Sequence, residues 1–243
     1  MHIQMNSYQN KEKLLLNNIS KKYGDIVVLE DINIKVYEGE LVSILGPSGS
    51  GKSTIFNIIT QLTKEDSGQL FINGDISYMQ QKDLLLPYKT IVDNVSLPMI
   101  LNNKSKKEAV ENVKVYFKDF GLEGYEEKYP SELSGGMRQR ANFLRTFVNS
   151  SDLMLLDEPF GALDSLTKTN MQKWLLDVRK KFNSTIILIT HDIEEAINLS
   201  DRIYLISNKP AKIKAEFNIK DKSNYEFGSS EYIKLKKDIL SLL

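Results

Sequence analysis

The stretch "LVSILGPSGSGKSTIFNII", Leu41 to Ile59, changes character twice within a short span. Leu41 to Leu45 is an apolar run, as expected of a strand covered on both faces. A glycine-rich turn follows, Gly46-Pro47-Ser48-Gly49-Ser50-Gly51-Lys52-Ser53-Thr54, after which Ile55, Ile58, Ile59 and Leu62 fall at helical spacing. The turn fits G-x-x-x-x-G-K-[ST]. In a strand–loop–helix setting its glycines let backbone N–H groups curl around phosphate oxygens. Lys52 adds a point charge toward β- and γ-phosphates, and the Ser53 hydroxyl can ligate Mg²⁺.

Upstream the chain reads as β-rich. "LLLNNIS" precedes a segment in which Ile32, Ile34 and Val36 alternate with Asn33, Lys35 and Tyr37, the period of a half-buried strand. Downstream, from roughly Thr90 to Tyr129, the period changes. In "SKKEAVENVKVYFKDFGL" the residues Ala109, Val110, Val113, Phe117 and Phe120 form one helical stripe, which predicts a helical insert. From Asp152 strands and helices alternate through "LMLLDEP", "SLTKTNMQKWLLDVRKKF", "STIILITHD", "IEEAINLS", "RIYLIS" and "AKIKAEFNI". The tail "SSEYIKLKKDILSLL" reads as a Ser-capped amphipathic helix. This alternation predicts an α/β fold with a parallel sheet.

"LMLLDEP" places Asp157 and Glu158 at the end of a buried strand, where parallel sheets bind ligands. There Asp157 would complete a Mg²⁺ shell, and Glu158 could polarise a water for in-line attack on the γ-phosphate. His191, at the end of the next buried strand, is read two ways. A lone strand-end histidine is commonly structural, but here it could also donate to the γ-phosphate or hold the attacking water. Gln81 reads from composition as a solvent-facing loop residue. Trp174 reads as packing, in register with Leu175 and Val178. "LSGGMRQR", Leu133 to Arg140, adds a puzzle: Ser134, Gly135 and Gly136 open a helix, which makes a second anion seat far from the first.

Composition narrows the alternatives. The 243 residues carry 32 basic and 32 acidic side chains, so no electrostatic footprint for nucleic acid appears. Without cysteines there are no disulfides, thiolate metal sites or Cys nucleophiles. The opening "MHIQMNSYQN" lacks an apolar h-region, so no signal peptide is expected. Apolar runs such as "TIILI" fall far short of the roughly 20 residues of a membrane helix.

These motifs together resemble the ATP-binding subunits of ABC transporters. The resemblance runs from Tyr23 to about Ile213, with the motifs in the family's order. "GPSGSGKST" is similar to the Walker A loop, "LSGGMRQR" to the ABC signature, and "LMLLDEP" to Walker B with its catalytic glutamate. "GALD", ending at Asp164, is similar to the D-loop, and His191 to the switch histidine. Gln81 falls at the Q-loop glutamine, also a Mg²⁺ contact, and Tyr23 where an aromatic stacks on adenine. The sequence departs from the pattern at Ser77, Gln80 and Tyr88 and in "ANFLRTF".

The resemblance implies a P-loop NTPase of the ABC ATPase fold, with a RecA-like parallel core, an N-terminal antiparallel β subdomain and a helical insert. Its expected division is a core at 12–89 and 152–215, a helical subdomain with the signature at 90–151, and a C-terminal helical tail at 216–243. It implies ATP and Mg²⁺ as ligands and a head-to-tail dimer in which Ser134, Gly135 and Gly136 serve the partner's ATP. It implies a separate integral membrane permease, an extracytoplasmic solute-binding protein, no nucleic acid, and a peripheral place on the cytoplasmic face of the cell membrane. The motifs are closest to importers of the nitrate/sulfonate/taurine group, which includes pyrimidine-precursor systems. Competing readings are a soluble ABC ATPase acting on ribosomes or DNA, an exporter subunit, and a P-loop protein that binds without hydrolysing.

Overall fold

The computed structural model describes residues 11–82, 84–150, 152–219 and 225–243. Two sheets organise them. The first is antiparallel, built from β1 (Glu12–Tyr23), β2 (Ile26–Tyr37) and β4 (Ser67–Ile72) in the order β2-β1-β4. The second holds β5 (Ile76–Met79), β6 (Leu153–Asp157), β7 (Ile186–Thr190), β3 (Leu41–Leu45), β8 (Arg202–Ile206) and β9 (Ile213–Asn218), ordered β5-β6-β7-β3-β8-β9. Its first five strands run parallel, and β9 closes the edge antiparallel to β8. A short hairpin cannot join parallel strands, so the direct β8–β9 connection dictates that reversal.

Every residue of β3, β6, β7 and β8 is buried, as their apolar runs predict. On one face β1, β2 and the helix α1 (Lys52–Ile59) pack over the sheet through Leu14, Ile34, Phe56 and Ile59. On the other lie the insert helices α2 (Ile91–Leu101) and α3 (Lys106–Lys114), with α4 (Gly135–Asn149) and α5 (Ser165–Phe182). Helix α6 (Ile193–Leu199) and the tail helix α7 (Ser230–Leu242) cover the β8–β9 end. Ser229 caps α7 by accepting from Tyr232 N at 3.1 Å, as expected of a Ser-capped tail.

Two helix extents differ from the periodicity. Helix α1 stops at Ile59, and Leu62 is 70 % exposed rather than on the core face. The chain reverses there through a left-handed Gln61, and its amide closes a tight turn on Ile58 O at 3.0 Å. Helix α3 ends at Lys114 rather than running through Phe120. Tyr116 N and Phe117 N then bond three residues back, to Val113 O and Lys114 O. The apolar stripe survives the change, because Phe117 and Phe120 remain buried. Trp174 packs edge-on against Phe120 and Phe143, with centroids 5.4 and 5.2 Å away, as a packing residue should.

Candidate nucleotide site

The Gly46–Thr54 loop joins β3 to α1 with two left-handed glycines, Gly49 at φ 75° and Gly51 at φ 114°. Such angles suit glycine, and close packing reinforces the choice at Gly51. A Cβ there would lie 3.0 Å from Leu29 and 3.1 Å from Val28. The loop bounds a cavity of about 380 Å³ whose wall also includes Gln81, Glu158 and Lys209. Inside the loop Lys52 is 5 % exposed, and its Nζ donates to Gly46 O at 2.7 Å and Pro47 O at 2.8 Å. Burial pushes the lysine's pKa down, while Glu158 and Asp157 oppose that. A buried ammonium held only by carbonyls is arranged to gain from an incoming phosphate.

Asp157 ends β6 beside the loop. Its Oδ2 accepts from Ser53 Oγ at 3.3 Å and from Tyr78 OH at 3.1 Å. Burial raises the Asp157 pKa; the hydrogen bond from Tyr78 pulls the other way. The Tyr78 phenol is pushed well above its usual range, by burial first and then by Asp157, so it stays a donor. The Ser53 hydroxyl and one carboxylate form an oxygen donor pair of the kind Mg²⁺ accepts when phosphates complete its shell. Among the described residues no group of three His, Asp or Glu could hold a metal alone. The donor set fits an ion that arrives with a nucleotide.

Glu158 follows immediately with φ 45°, left-handed and rare for a residue with a side chain. Its amide donates to Ile189 O at 3.0 Å, and its carbonyl accepts from Gly161 N at 3.2 Å, so the strained turn is held on both sides. The turn carries the carboxylate to the cavity. There Oε1 lies 3.1 Å from His191 Nδ1 and Oε2 accepts from Gln81 Nε2 at 3.3 Å. Gln81 and His191, ambiguous from composition, thus meet on one carboxylate.

Other predicted residues lie elsewhere. Ser134 caps α4 by accepting from Met137 N at 3.3 Å, and Ser134 and Gly135 are exposed. Gly136 faces α5, where a Cβ would stand 3.0 Å from Thr167 Cγ2. Asp164 caps α5 by accepting from Thr167 N at 3.0 Å, and those contacts hold its carboxyl below the usual range. The signature and "GALD" therefore share one rim, and none of their residues lines the cavity of Lys52. Tyr23 is 47 % exposed at the end of β1, with Lys21 Nζ 5.4 Å from its ring centre, and it does not line that cavity either. Two residues at the site escaped the sequence reading: Tyr78, which donates to Asp157, and Lys209, which lines the cavity of Lys52. Tyr78 stands three residues before Gln81, and Lys209 sits in a turn between strands.

A parallel core with a lysine-bearing phosphate loop beside a strand-end Asp-Glu pair defines a P-loop ATPase. The signature helix and the family comparison narrow the class further: the family model for ABC transporters matches residues 29–161, and the chain belongs to the ATP-binding subunits of that family. The chain is 46 % identical over 241 residues to the formylaminopyrimidine import ATP-binding protein ThiZ of Halalkalibacterium halodurans, covering 96 % of this chain and 97 % of that one. It is 39 % identical over 202 residues to an aliphatic sulfonates import ATP-binding protein SsuB of Bacillus cereus, covering 80 % and 79 %. Among solved structures, the dimeric ABC transporter cassette MJ0796 superposes with TM-score 0.72 at 32 % identity, covering 86 % of this chain and 99 % of that one. The same cassette has been solved as a post-hydrolysis dimer bound to ADP and Pi, with the same TM-score of 0.72.

Proposed function

We propose that this ABC ATPase is the ATP-hydrolysing subunit of an importer, working as a head-to-tail dimer beneath a separate permease. The observation that carries the reading is the Glu158 carboxylate, held by Gln81 and His191 over the cavity of Lys52. In this reading Gly46 to Thr54 hold the phosphates and Ser53, Asp157 and Gln81 hold Mg²⁺. When bound, that ion would neutralise charge developing between the β- and γ-phosphates. Glu158 accepts the proton of the attacking water, and His191 orients it and the γ-phosphate. Tyr23 stacks on adenine.

The seat at Ser134, Gly135 and Gly136, exposed at its first two residues, answers the puzzle of two anion sites. In a second copy's reach, those groups and Asp164 would close over ATP held by the first. Hydrolysis then depends on pairing, since positioning supplies most of phosphoryl-transfer catalysis.

The core (12–89, 152–215), helical insert (90–151) and tail (216–243) are the working parts of this reading. Between β5 and the helices α2 and α4 lies a cleft of about 400 Å³ lined by Leu97, Pro98, Leu101 and Arg145 among others. Arg145 Nη1 donates to Leu84 O at 2.8 Å, which ties the segment after Gln81 to α4. A permease loop seated there would act on the loop that holds Gln81. The permease places the subunit on the cytoplasmic face of the membrane, and an extracytoplasmic solute-binding protein delivers cargo. By likeness to its relatives the cargo is a pyrimidine precursor or a compound of the nitrate/sulfonate/taurine type.

A mild-detergent pull-down of the Glu158→Gln chain with ATP and Mg²⁺ tests the assembly. A co-purifying permease is the expected result, and recovery with ribosomes or as a lone soluble dimer overturns the importer. The metal reading has its own check. Tyr78→Phe keeps the edge-on contact to Phe56, whose ring centre is 5.6 Å away, but removes the hydroxyl from Asp157. The Mg²⁺ concentration for half-maximal ATPase rate should rise about tenfold, as for other residues that orient a metal's ligand. An unchanged Mg²⁺ requirement would reduce Tyr78 to packing.

A further inference from the structure

We propose that Lys209, at the tip of the β8–β9 hairpin, is a second cationic contact for the nucleotide phosphates beside Lys52. The proposal rests on reading Gly46–Thr54 as the phosphate seat. Three observations carry it.

The first is place. Sheet order sets β8 beside β3, so the chain leaving β8 emerges next to the loop leaving β3. The fit is tight, since a Cβ on Gly46 would stand 2.6 Å from Ile206 Cγ1. Three residues on, Lys209 walls the same cavity as Ser48, Lys52, Gln81 and Glu158.

The second is support. The hairpin is closed at its base, where Ser207 N donates to Lys212 O at 3.0 Å and Lys212 N to Ser207 Oγ at 2.9 Å. It is also pinned to β2, since Ala211 N donates to Val28 O and Glu30 N to Ala211 O, both at 2.9 Å. Val28 and Leu29 are the residues that wall Gly51. One short segment of β2 thus positions both the phosphate loop and the hairpin. A tip held this way loses less freedom on meeting a ligand than a lysine on an open loop.

The third is charge. Lys212 spends its ammonium on Glu30 at 2.7 Å. Lys209 makes no ion pair or hydrogen bond with any described residue. It shares the cavity wall with Lys52 and with the Glu158 carboxylate, which His191 and Gln81 already engage, so an incoming polyphosphate offers Lys209 the anionic partner it lacks. The bland alternative is a solvated turn lysine that merely happens to lie near the site.

The test titrates ATP into the full chain carrying Lys209→Ala or Lys209→Arg, in a Glu158→Gln background that suppresses turnover, at low and moderate salt. Lys52→Ala runs alongside. Lys209 is exposed, so its variants should fold normally. Lys209→Ala should weaken ATP binding about tenfold and flatten its salt dependence, while Lys209→Arg stays within about threefold of the parent. Unchanged ATP affinity in Lys209→Ala, with Lys52→Ala impaired, overturns the proposal and leaves the phosphate seat standing. An arginine variant as weak as the alanine one also overturns it, because charge would then not be the cause. If Lys52→Ala binds normally as well, the phosphate seat itself falls.

Discussion

In Glu158→Gln, ATP binds with near-parental affinity while steady-state hydrolysis falls at least about 100-fold, the usual scale for loss of a general base. The substitution is nearly isosteric, and it inherits a backbone turn at φ 45° that is held by contacts to Ile189 and Gly161. Folding should therefore survive, and the loss should sit in the chemical step. What changes is proton affinity and hydrogen-bond polarity. The carboxylate accepts from Gln81 Nε2 on one oxygen and faces His191 Nδ1 with the other. An amide can accept at only one of those atoms and presents N–H to the other partner. It also cannot take a proton from water. Single-turnover hydrolysis by a phosphate-release assay, beside an ATP titration, separates the two parameters. Near-normal turnover removes Glu158 from the mechanism, and lost binding would make it a nucleotide-holding residue instead.

The residues that could be read from sequence are those whose neighbours in space are neighbours in the chain. Lys52 and Ser53 belong to one nine-residue loop, and Asp157 and Glu158 are adjacent at a strand end whose apolar run announces it. The strands β3, β6, β7 and β8 were legible for the same reason, because burial on both faces leaves no polar alternation. Helix ends were less so. Leu62 continues the helical period of α1, yet a turn at Gln61 takes it into solvent, since periodicity records which face is apolar and not where the chain stops. Lys209 and Tyr78 were hidden for a different reason. Strand order alone brings the β8–β9 turn to a loop more than a hundred residues earlier, and β5 beside β6 sets Tyr78 against Asp157. Gln81 carries no local signal of its own, and the strand-end position of His191 left a structural and a catalytic reading side by side. The family resemblance pointed to them, and their meeting on Glu158 is a tertiary fact.

Lys52→Ala should abolish tight ATP binding, with affinity falling at least about 100-fold by calorimetric titration, since a buried charge-assisted contact is lost together with the site's main cation. The buried position of Lys52 sharpens the expectation. Its ammonium is desolvated before nucleotide arrives, with two backbone carbonyls as its hydrogen-bond acceptors. The desolvation cost that normally weakens a new ion pair has therefore been met during folding, and more of the Coulomb attraction remains for the phosphate. The same geometry gives Lys52 a second task, because Gly46 O and Pro47 O lose their donor in the variant. Part of the loss could then come from a loosened loop. Lys52→Arg and a comparison of ATP with adenosine separate the two causes. Loss of a phosphate contact weakens ATP and spares adenosine, whereas a collapsed loop that closes the cavity weakens both. Unchanged ATP affinity in Lys52→Ala contradicts the phosphate loop outright, whatever its sequence resembles.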